Sequence, residues 1–237
     1  MAEVKKGDFV QVQYTGKLED GTAFDTTSKK EAEKQGLSED YSNYGPVTIC
    51  IGEGHVVPGL DKQLEGKKVE EVYNLEVPAE DGFGKKDAKQ IQMIATNKFT
   101  KEGITPAPGL QVNIDGMMGI VKSVSGGRTL VDFNHPLSGQ KLLYEIKIDR
   151  IIDDDTEKVK ALLKLKLGIE DADVHIKDGK ATISTSKDLG MPEEFTRSIS
   201  DEVSKLVPSV KEMEFAAKDK DSKTAESAAK QPQEQDK

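Results

Sequence analysis

The feature that most constrains this chain is a strand-like alternation that recurs in widely separated pieces. In FVQVQYTGKL (9–18), Val10, Val12 and Tyr14 alternate with Gln11 and Gln13, the period of a half-buried strand. VTICI (47–51) puts Val47, Ile49 and Ile51 on one face, and EVYNLEVP (71–78) does the same with Tyr73, Leu75 and Val77 before Pro78 ends the run. The fourth piece comes much later, where Leu142, Tyr144, Ile146 and Ile148 alternate with Leu143, Glu145, Lys147 and Asp149. Between the second and third pieces, Pro58 suits the first position of a helix and Gly66 closes it. Four strands and one short helix predict an α+β domain, a half-open antiparallel sheet wrapped on the helix. The charged stretch Ser28–Tyr44 has little to bury and is expected to be an exposed loop with room for one helical turn.

The gap before the fourth strand has its own grammar. After TPAPG (105–109), the runs LQVNI, MMGIVKSV and RTLVDF are separated by Asp115-Gly116 and Gly126-Gly127, which are strong hairpin turns. IQMIATNKF lies upstream as a short apolar run. Residues 85–133 therefore read as a small β-rich domain inserted into a loop of the first domain, which spans 1–84 and 134–153. Such insertion adds little closure entropy. A third unit is expected over 154–215. TEKVKALLKLKLG is an amphipathic helix ending at Gly168, DVHIKDGKATIST a hairpin around Asp178-Gly179, PEEFTRSISDEVSKLV a second helix and VKEMEFA a strand, giving the order αββαβ. Residues 216–237 are rich in Lys, Asp, Glu, Ala and Gln and read as a disordered tail.

Charge and composition remove several function classes. The 237 residues carry 34 Lys and Arg against 43 Asp and Glu, a net charge of −9. That balance disfavours nucleic-acid binding, which needs basic stripes to neutralise phosphates. No run approaches the ~18 apolar residues of a spanning helix, and MAEVKKGDFV has no apolar signal region. The expectation is a cytoplasmic protein with no membrane partner. Cys50 stands alone, which excludes an internal disulfide framework. His55, His135 and His175 lack a second His or Cys at ligand spacing, so each reads as structural or exposed and no metal site is expected. No dinucleotide fingerprint, P-loop or GxSxG occurs, so no cofactor is expected. Gly52-Glu53-Gly54 reads as a strand-to-helix turn, and Asp153, Asp154 and Asp155 as carboxylates favoured by a helix N-terminus.

What remains is a set of aromatic residues on or beside the strands. These are Tyr14, Phe24, Phe83 and Tyr144, with Asp25 directly after Phe24 and Val56-Val57 before the short helix. Any one of them alone would be ordinary core. Together, YTGKLEDGTAFDTT (14–27), ICIGEGHVVPGLDKQLEG (49–66), VPAEDGFG (77–84) and LSGQKLLYEIKIDRI (137–151) resemble the FKBP-type peptidyl-prolyl cis-trans isomerases in block order and spacing. The insertion after Phe83-Gly84 resembles the insert-in-flap domain of SlyD-like members, and the layout with a further C-terminal domain is similar to the long archaeal type. The resemblance implies an FKBP half-barrel, a non-covalent prolyl isomerase that accelerates folding, and polypeptides with X-Pro bonds as partners. It puts Tyr14, Phe24, Asp25, Val56, Val57, Leu60, Phe83 and Tyr144 in the catalytic pocket and Val47 against the substrate. Leu60 stands where a tryptophan floors the pocket in human-type members. Phe83 lacks the hydroxyl of the tyrosine it replaces, and Val47 replaces an aromatic residue. The histidine-rich metal tail of SlyD is absent, so nickel binding is not implied.

The inserted domain carries Ile91, Met93, Ile94, Phe99, Met117, Met118, Ile120 and Val121, more apolar side chains than so small a domain can bury. About half are expected in its core. The others, with methionine prominent, suit adaptable binding of unfolded chains. Two further readings stand beside an isomerase with chaperone capacity. One is a holdase or binding module with weak isomerase activity. The other is a scaffold whose αββαβ domain forms a homodimer through an exposed strand edge.

Overall fold

The computed structural model describes residues 2–37, 44–185 and 191–217. It divides into two compact units: the chain up to Lys6 with Val12–Val47 and Ile51–Arg150, and Gly7–Gln11 with Thr48–Cys50 and the chain from Ile151 on.

Elements run in the order β1 (Phe9–Leu18), β2 (Ala23–Thr26), α1 (Lys29–Gln35), β3 (Val47–Cys50), α2 (Pro58–Leu64) and β4 (Val72–Val77), then β5 (Ile91–Ala95), α3 (Thr96–Lys101), β6 (Gln111–Ile114), β7 (Met117–Ser125), β8 (Arg128–Asp132) and β9 (Leu142–Ile152). One sheet has the order β2-β1-β9-β4, with β3 paired to β1. Chain and space disagree here, since β4 and β9 pair antiparallel with Val77 opposite Leu142 and Leu75 opposite Tyr144. Everything between them in sequence leaves and returns at one place.

Two short elements add to the expected ones. AFDT forms β2, ahead of the expected Ser28–Tyr44 loop, and within that loop KKEAEKQ forms α1 although only Ala32 in it is buried. The helix is made by its ends. The Ser28 side chain accepts from the Glu31 N–H, and Gly36 closes it with φ +65°, a left-handed conformation cheap for glycine. The rest of that expected loop, 38–43, lies outside the described residues.

The inserted segment forms its own four-stranded sheet in the order β5-β8-β7-β6. IQMIATNKF is not one element, because the strand stops at Ala95 and TNKFTK turns into α3. α3 brings Phe99 onto the sheet, where it is buried with Val112, Val121 and Val131, and Ile94, Ile104, Ile114 and Phe133 pack round them. Strand alternation then assigns the other face. Met93 pairs with Leu130, Ile120 with Asp132, and Met118 with Asn113, all one residue out of phase with the buried valines.

The second unit contains α4 (Asp155–Leu167), β10 (Asp173–Lys177), β11 (Lys180–Thr185), α5 (Glu193–Leu206) and β12 (Glu212–Ala217). The sheet order is β10-β11-β12, with β11 and β12 parallel. β12 reaches two residues into the segment expected to be a disordered tail, whose remainder, 218–237, lies outside the described residues. Asp154 caps α4 by accepting from the Glu157 N–H at 2.8 Å. The core of this unit combines Val159, Leu162, Leu163, Val174, Ile183 and Val203 with Phe9 and Cys50, residues that sequence alone assigns to the first domain.

Phe9→Ala is therefore expected to loosen the C-terminal unit. Emptying a fully packed phenylalanine site costs about 3–5 kcal/mol. Hydrogen exchange during chemical unfolding should show the loss in α4 and β11.

Candidate active site

The site is assembled on the first sheet from an irregular strand pair. β1 and β2 pair with Thr15 opposite Thr26 and Gly16 opposite Asp25, and then Lys17 faces Ala23. The register skips Phe24, so this residue bulges out of the ladder. A bulge re-aims a side chain, and the Phe24 ring meets Tyr144 edge-on at 5.8 Å between centroids.

The contact needs Gly16. A Cβ built there would lie 2.6 Å from Phe24 Cζ and 3.0 Å from Tyr144 Cε1. Only a residue without a side chain lets both rings close over the strand. Tyr144 also meets Tyr14 at 6.0 Å, and Phe24 meets Phe83 at 6.3 Å, each edge to face. These spacings fall in the range where ring edges and faces attract. The Tyr14 hydroxyl donates to Asp25 Oδ2 at 2.8 Å. Five residues expected in the pocket, Tyr14, Phe24, Asp25, Phe83 and Tyr144, thus form one connected group drawn from β1, β2, β9 and the loop after β4.

Both phenols are held in the neutral form. Burial pushes the Tyr14 hydroxyl far above its ordinary value, and the Asp25 carboxylate adds to this by its charge and by accepting the hydroxyl's hydrogen bond. Tyr144 is raised mainly by burial and then by the Asp25 charge. The group is suited to hydrogen bonding and apolar contact.

The remaining expected pocket residues lie on α2, just before it and at the start of β3. Leu60 is 1% exposed. Val56 and Val57 are half-buried just before the helix, and Val47 is half-buried at the start of β3. Asp61 organises this approach. Its carboxylate accepts from the N–H groups of Gly52 (2.8 Å) and Gly54 (3.1 Å), fixing the turn that leads into Val56-Val57. Sequence reasoning missed Asp61, although Gly-Glu-Gly with a carboxylate one helical turn beyond Pro58 is the available signal. Gly59 lies tight against β4 and the following turn, since a Cβ there would be 2.6 Å from Val77 Cγ1 and 2.8 Å from Asp81 Cβ.

Phe83 follows a 3₁₀ turn at Ala79–Asp81. Its carbonyl accepts from Ser138 Oγ at 3.0 Å, and its ring is stacked on His135 at 4.5 Å with the planes 5° apart. His135 carried no role in the sequence, where a lone histidine gives no signal.

In the inserted domain, Phe99 is in the core and Ile94 packs on it. Ile91 and Ile120 are half-buried. Met93 is 61% exposed, Met118 60% and Met117 49%. Among the described residues, no group of three or more His, Cys, Asp or Glu is placed to hold a metal ion, and no helix is long and apolar enough to cross a membrane.

Known proteins match the chain in the same regions. Residues 1–102 match the FKBP-type peptidyl-prolyl cis-trans isomerase family, and residues 92–137 match the family described as FKBP26, IF domain. The chain is 28% identical over 154 residues to the short-type peptidyl-prolyl cis-trans isomerase of Methanocaldococcus jannaschii, covering 65% of this chain and 98% of that protein. It is 29% identical over 150 residues to the FKBP-type 16 kDa peptidyl-prolyl cis-trans isomerase of Escherichia coli K12, covering 61% and 91%. With the FKBP-type isomerase SlyD of Haemophilus influenzae it shares 24% identity over 151 residues, covering 62% and 71%. The family matched by residues 1–102 and each of these relatives are peptidyl-prolyl cis-trans isomerases.

Gly16→Ala is expected to separate the Phe24 and Tyr144 rings and lower isomerisation of a short prolyl peptide about tenfold, equivalent to roughly 1.4 kcal/mol of transition-state stabilisation. A protease-free peptide assay on the folded variant measures it. Wild-type turnover would mean that the closed ring pair is not needed.

Proposed function

We propose that the connected aromatic group Tyr14–Tyr144–Phe24–Phe83, with Asp25 at one end, is the prolyl-binding catalytic pocket, completed by Val47, Val56, Val57 and Leu60. The observation that carries this reading is the convergence of rings from four separate segments.

An X-Pro bond turns slowly because amide resonance sets a barrier of ~18–20 kcal/mol. In the twisted transition state the nitrogen is pyramidal, and the amide is less polar and less hydrated than when planar. An apolar pocket therefore favours the twisted form over the planar one, and only such a difference raises the rate. A 10⁴-fold acceleration needs roughly 5–6 kcal/mol. Burial of the prolyl ring by Tyr14, Phe83, Val56, Val57, Leu60 and Tyr144 holds both forms and cannot supply that difference. Asp25 is the charged group beside the pocket. It orients the Tyr14 hydroxyl and contributes to the field at the twisted carbonyl. The Val57 N–H, the last before Pro58, anchors the peptide. No proton transfer or covalent bond is required, in keeping with phenols held neutral. Asp25→Ala and Tyr144→Ala should each reduce turnover of a short prolyl peptide at least tenfold with the fold intact. Unchanged turnover in both would refute this pocket.

The inserted domain serves as a chaperone-like holder of unfolded chains. Support comes from its outward sheet face, which combines Met93, Met118, Ile120 and Leu130, two of them well exposed. Methionine adapts to varied partners. A chain held there has a raised local concentration at the pocket. Replacing Lys85–Phe133 by a short loop should spare peptide isomerisation and slow catalysis of protein refolding. Equal loss of both would argue against separate capture. A chain that prevents aggregation while barely turning over peptides would instead favour the holdase reading. Among the described residues, the sheet order β10-β11-β12 leaves β10 and β12 as edges, an opening for pairing of two copies that sedimentation of the full chain reads directly.

A further inference from the structure

We propose that His135 is a positioning residue of the isomerase, holding the Phe83 ring in the pocket and tying that ring to the base of the inserted domain. The inference rests on the reading of Phe83 as part of the pocket.

Phe83 has no polar atom on its side chain, so nothing but packing can fix its ring. The Phe24 ring meets it edge to face at 6.3 Å, and the His135 imidazole lies flat on it at 4.5 Å. A ring bounded by one edge contact alone can swing. A parallel plate on it limits that motion and pre-organises the surface that meets a prolyl ring. The backbone around Phe83 is tied down independently. Its carbonyl accepts from Ser138 Oγ at 3.0 Å, and the Gly84 carbonyl accepts from the Gly139 N–H at 2.8 Å.

The plate is itself held. His135 Nδ1 accepts from the Leu137 N–H at 3.2 Å, and the His135 carbonyl accepts from the Ser138 N–H at 2.9 Å. One residue earlier, Asn134 clips the two chains that enter and leave the inserted domain. Its Oδ1 accepts from the Asp87 N–H at 2.8 Å, while its Nδ2 donates to the Asp87 carbonyl at 3.0 Å and to Asp132 Oδ1 at 2.8 Å. Asp132 is buried and also faces Lys86 at 3.6 Å. The His135 backbone is thus continuous with a fixed junction, and the ring is set by the turn that follows.

Because the plate acts through Phe83, its loss should weaken uniform binding of the prolyl ring. In the full chain, His135→Ala is expected to raise KM for a prolyl peptide about three- to tenfold with kcat within about twofold. His135→Phe keeps a flat ring and should restore KM to within about twofold of wild type. In a Phe83→Ala background, His135→Ala should cause no further loss. Normal turnover in Phe83→Ala alone would sink the pocket reading and this inference with it. A deficient Phe83→Ala beside a normal His135→Ala overturns the positioning role alone. So does a His135→Phe variant as impaired as His135→Ala, or an undiminished effect of His135→Ala when Phe83 is already gone.

Discussion

The pairing of β4 with β9 is the interaction on which the rest of the first unit depends. It sets Leu75 opposite Tyr144 and Val77 opposite Leu142, although the whole inserted domain lies between them in sequence. Side chains alternate faces along a strand, so a slip of one residue would turn Tyr144 away from Tyr14 and Phe24. The same register brings the segments beyond Val77 and before Leu142 side by side. There Gly139 bonds to Gly84 and Ser138 to Phe83. The sheet thus delivers two products at once, an aromatic floor from β9 and a closed neck for the insertion. Closure entropy rises only with the logarithm of loop length, so a self-folding domain in this interval adds little to the cost of forming the pair.

On that floor the aromatic group is ordered by small residues. Gly16 removes the one side chain that would separate Phe24 from Tyr144, and Gly59 lets α2 approach Val77. Edge-to-face contacts contribute about 0.5–1.5 kcal/mol each beyond area burial, enough to favour one arrangement of rings before a peptide arrives. Pre-organisation matters because the reaction offers the protein no bond to make. All of the rate must come from an environment that suits a twisted amide better than a planar one. If the ring group is the prolyl pocket, an ionised phenol would work against this by adding charge there. Burial and the Asp25 carboxylate keep both phenols protonated.

Legibility in the sequence followed the length and regularity of each pattern. β1, β4 and β9 alternate over many residues and announce themselves, as do the hairpins at Asp115-Gly116 and Asp178-Gly179. β2 is four residues containing Asp25, too short for alternation to register, and α1 buries only Ala32, so its apolar periodicity is empty. Both are set by partners: β1 for the strand, Ser28 and Gly36 for the helix. IQMIATNKF looked like one apolar run because period alone does not separate a strand that turns directly into a helix. Phe9 and Cys50 sit on strands of the first sheet, yet are buried in the core of the second unit. Which core an apolar residue joins is a long-range property. The grouping of the aromatic residues was legible only as a set resembling a known family, whereas Gly16, Asp61 and His135 act through spatial neighbours that no local pattern encodes.

The inserted sheet separates two demands by its two faces. On the inner face, packing is tight: a Cβ on Gly119 would lie 2.6 Å from Val131 Cγ1 and 2.8 Å from the Phe133 ring. That density lets a small apolar cluster, built on Phe99, Val112, Val121 and Val131, hold a domain too small to bury much surface. The outer face has no such constraint and carries unbranched methionines. If this face holds client chains, its contacts must be weak one by one, because a chain gripped tightly could not fold away after its prolyl bond has turned. Flexible thioethers gain little from any single partner and something from most of them. On that proposal, such a face would bind unfolded segments broadly and release them once their own apolar residues find a better burial.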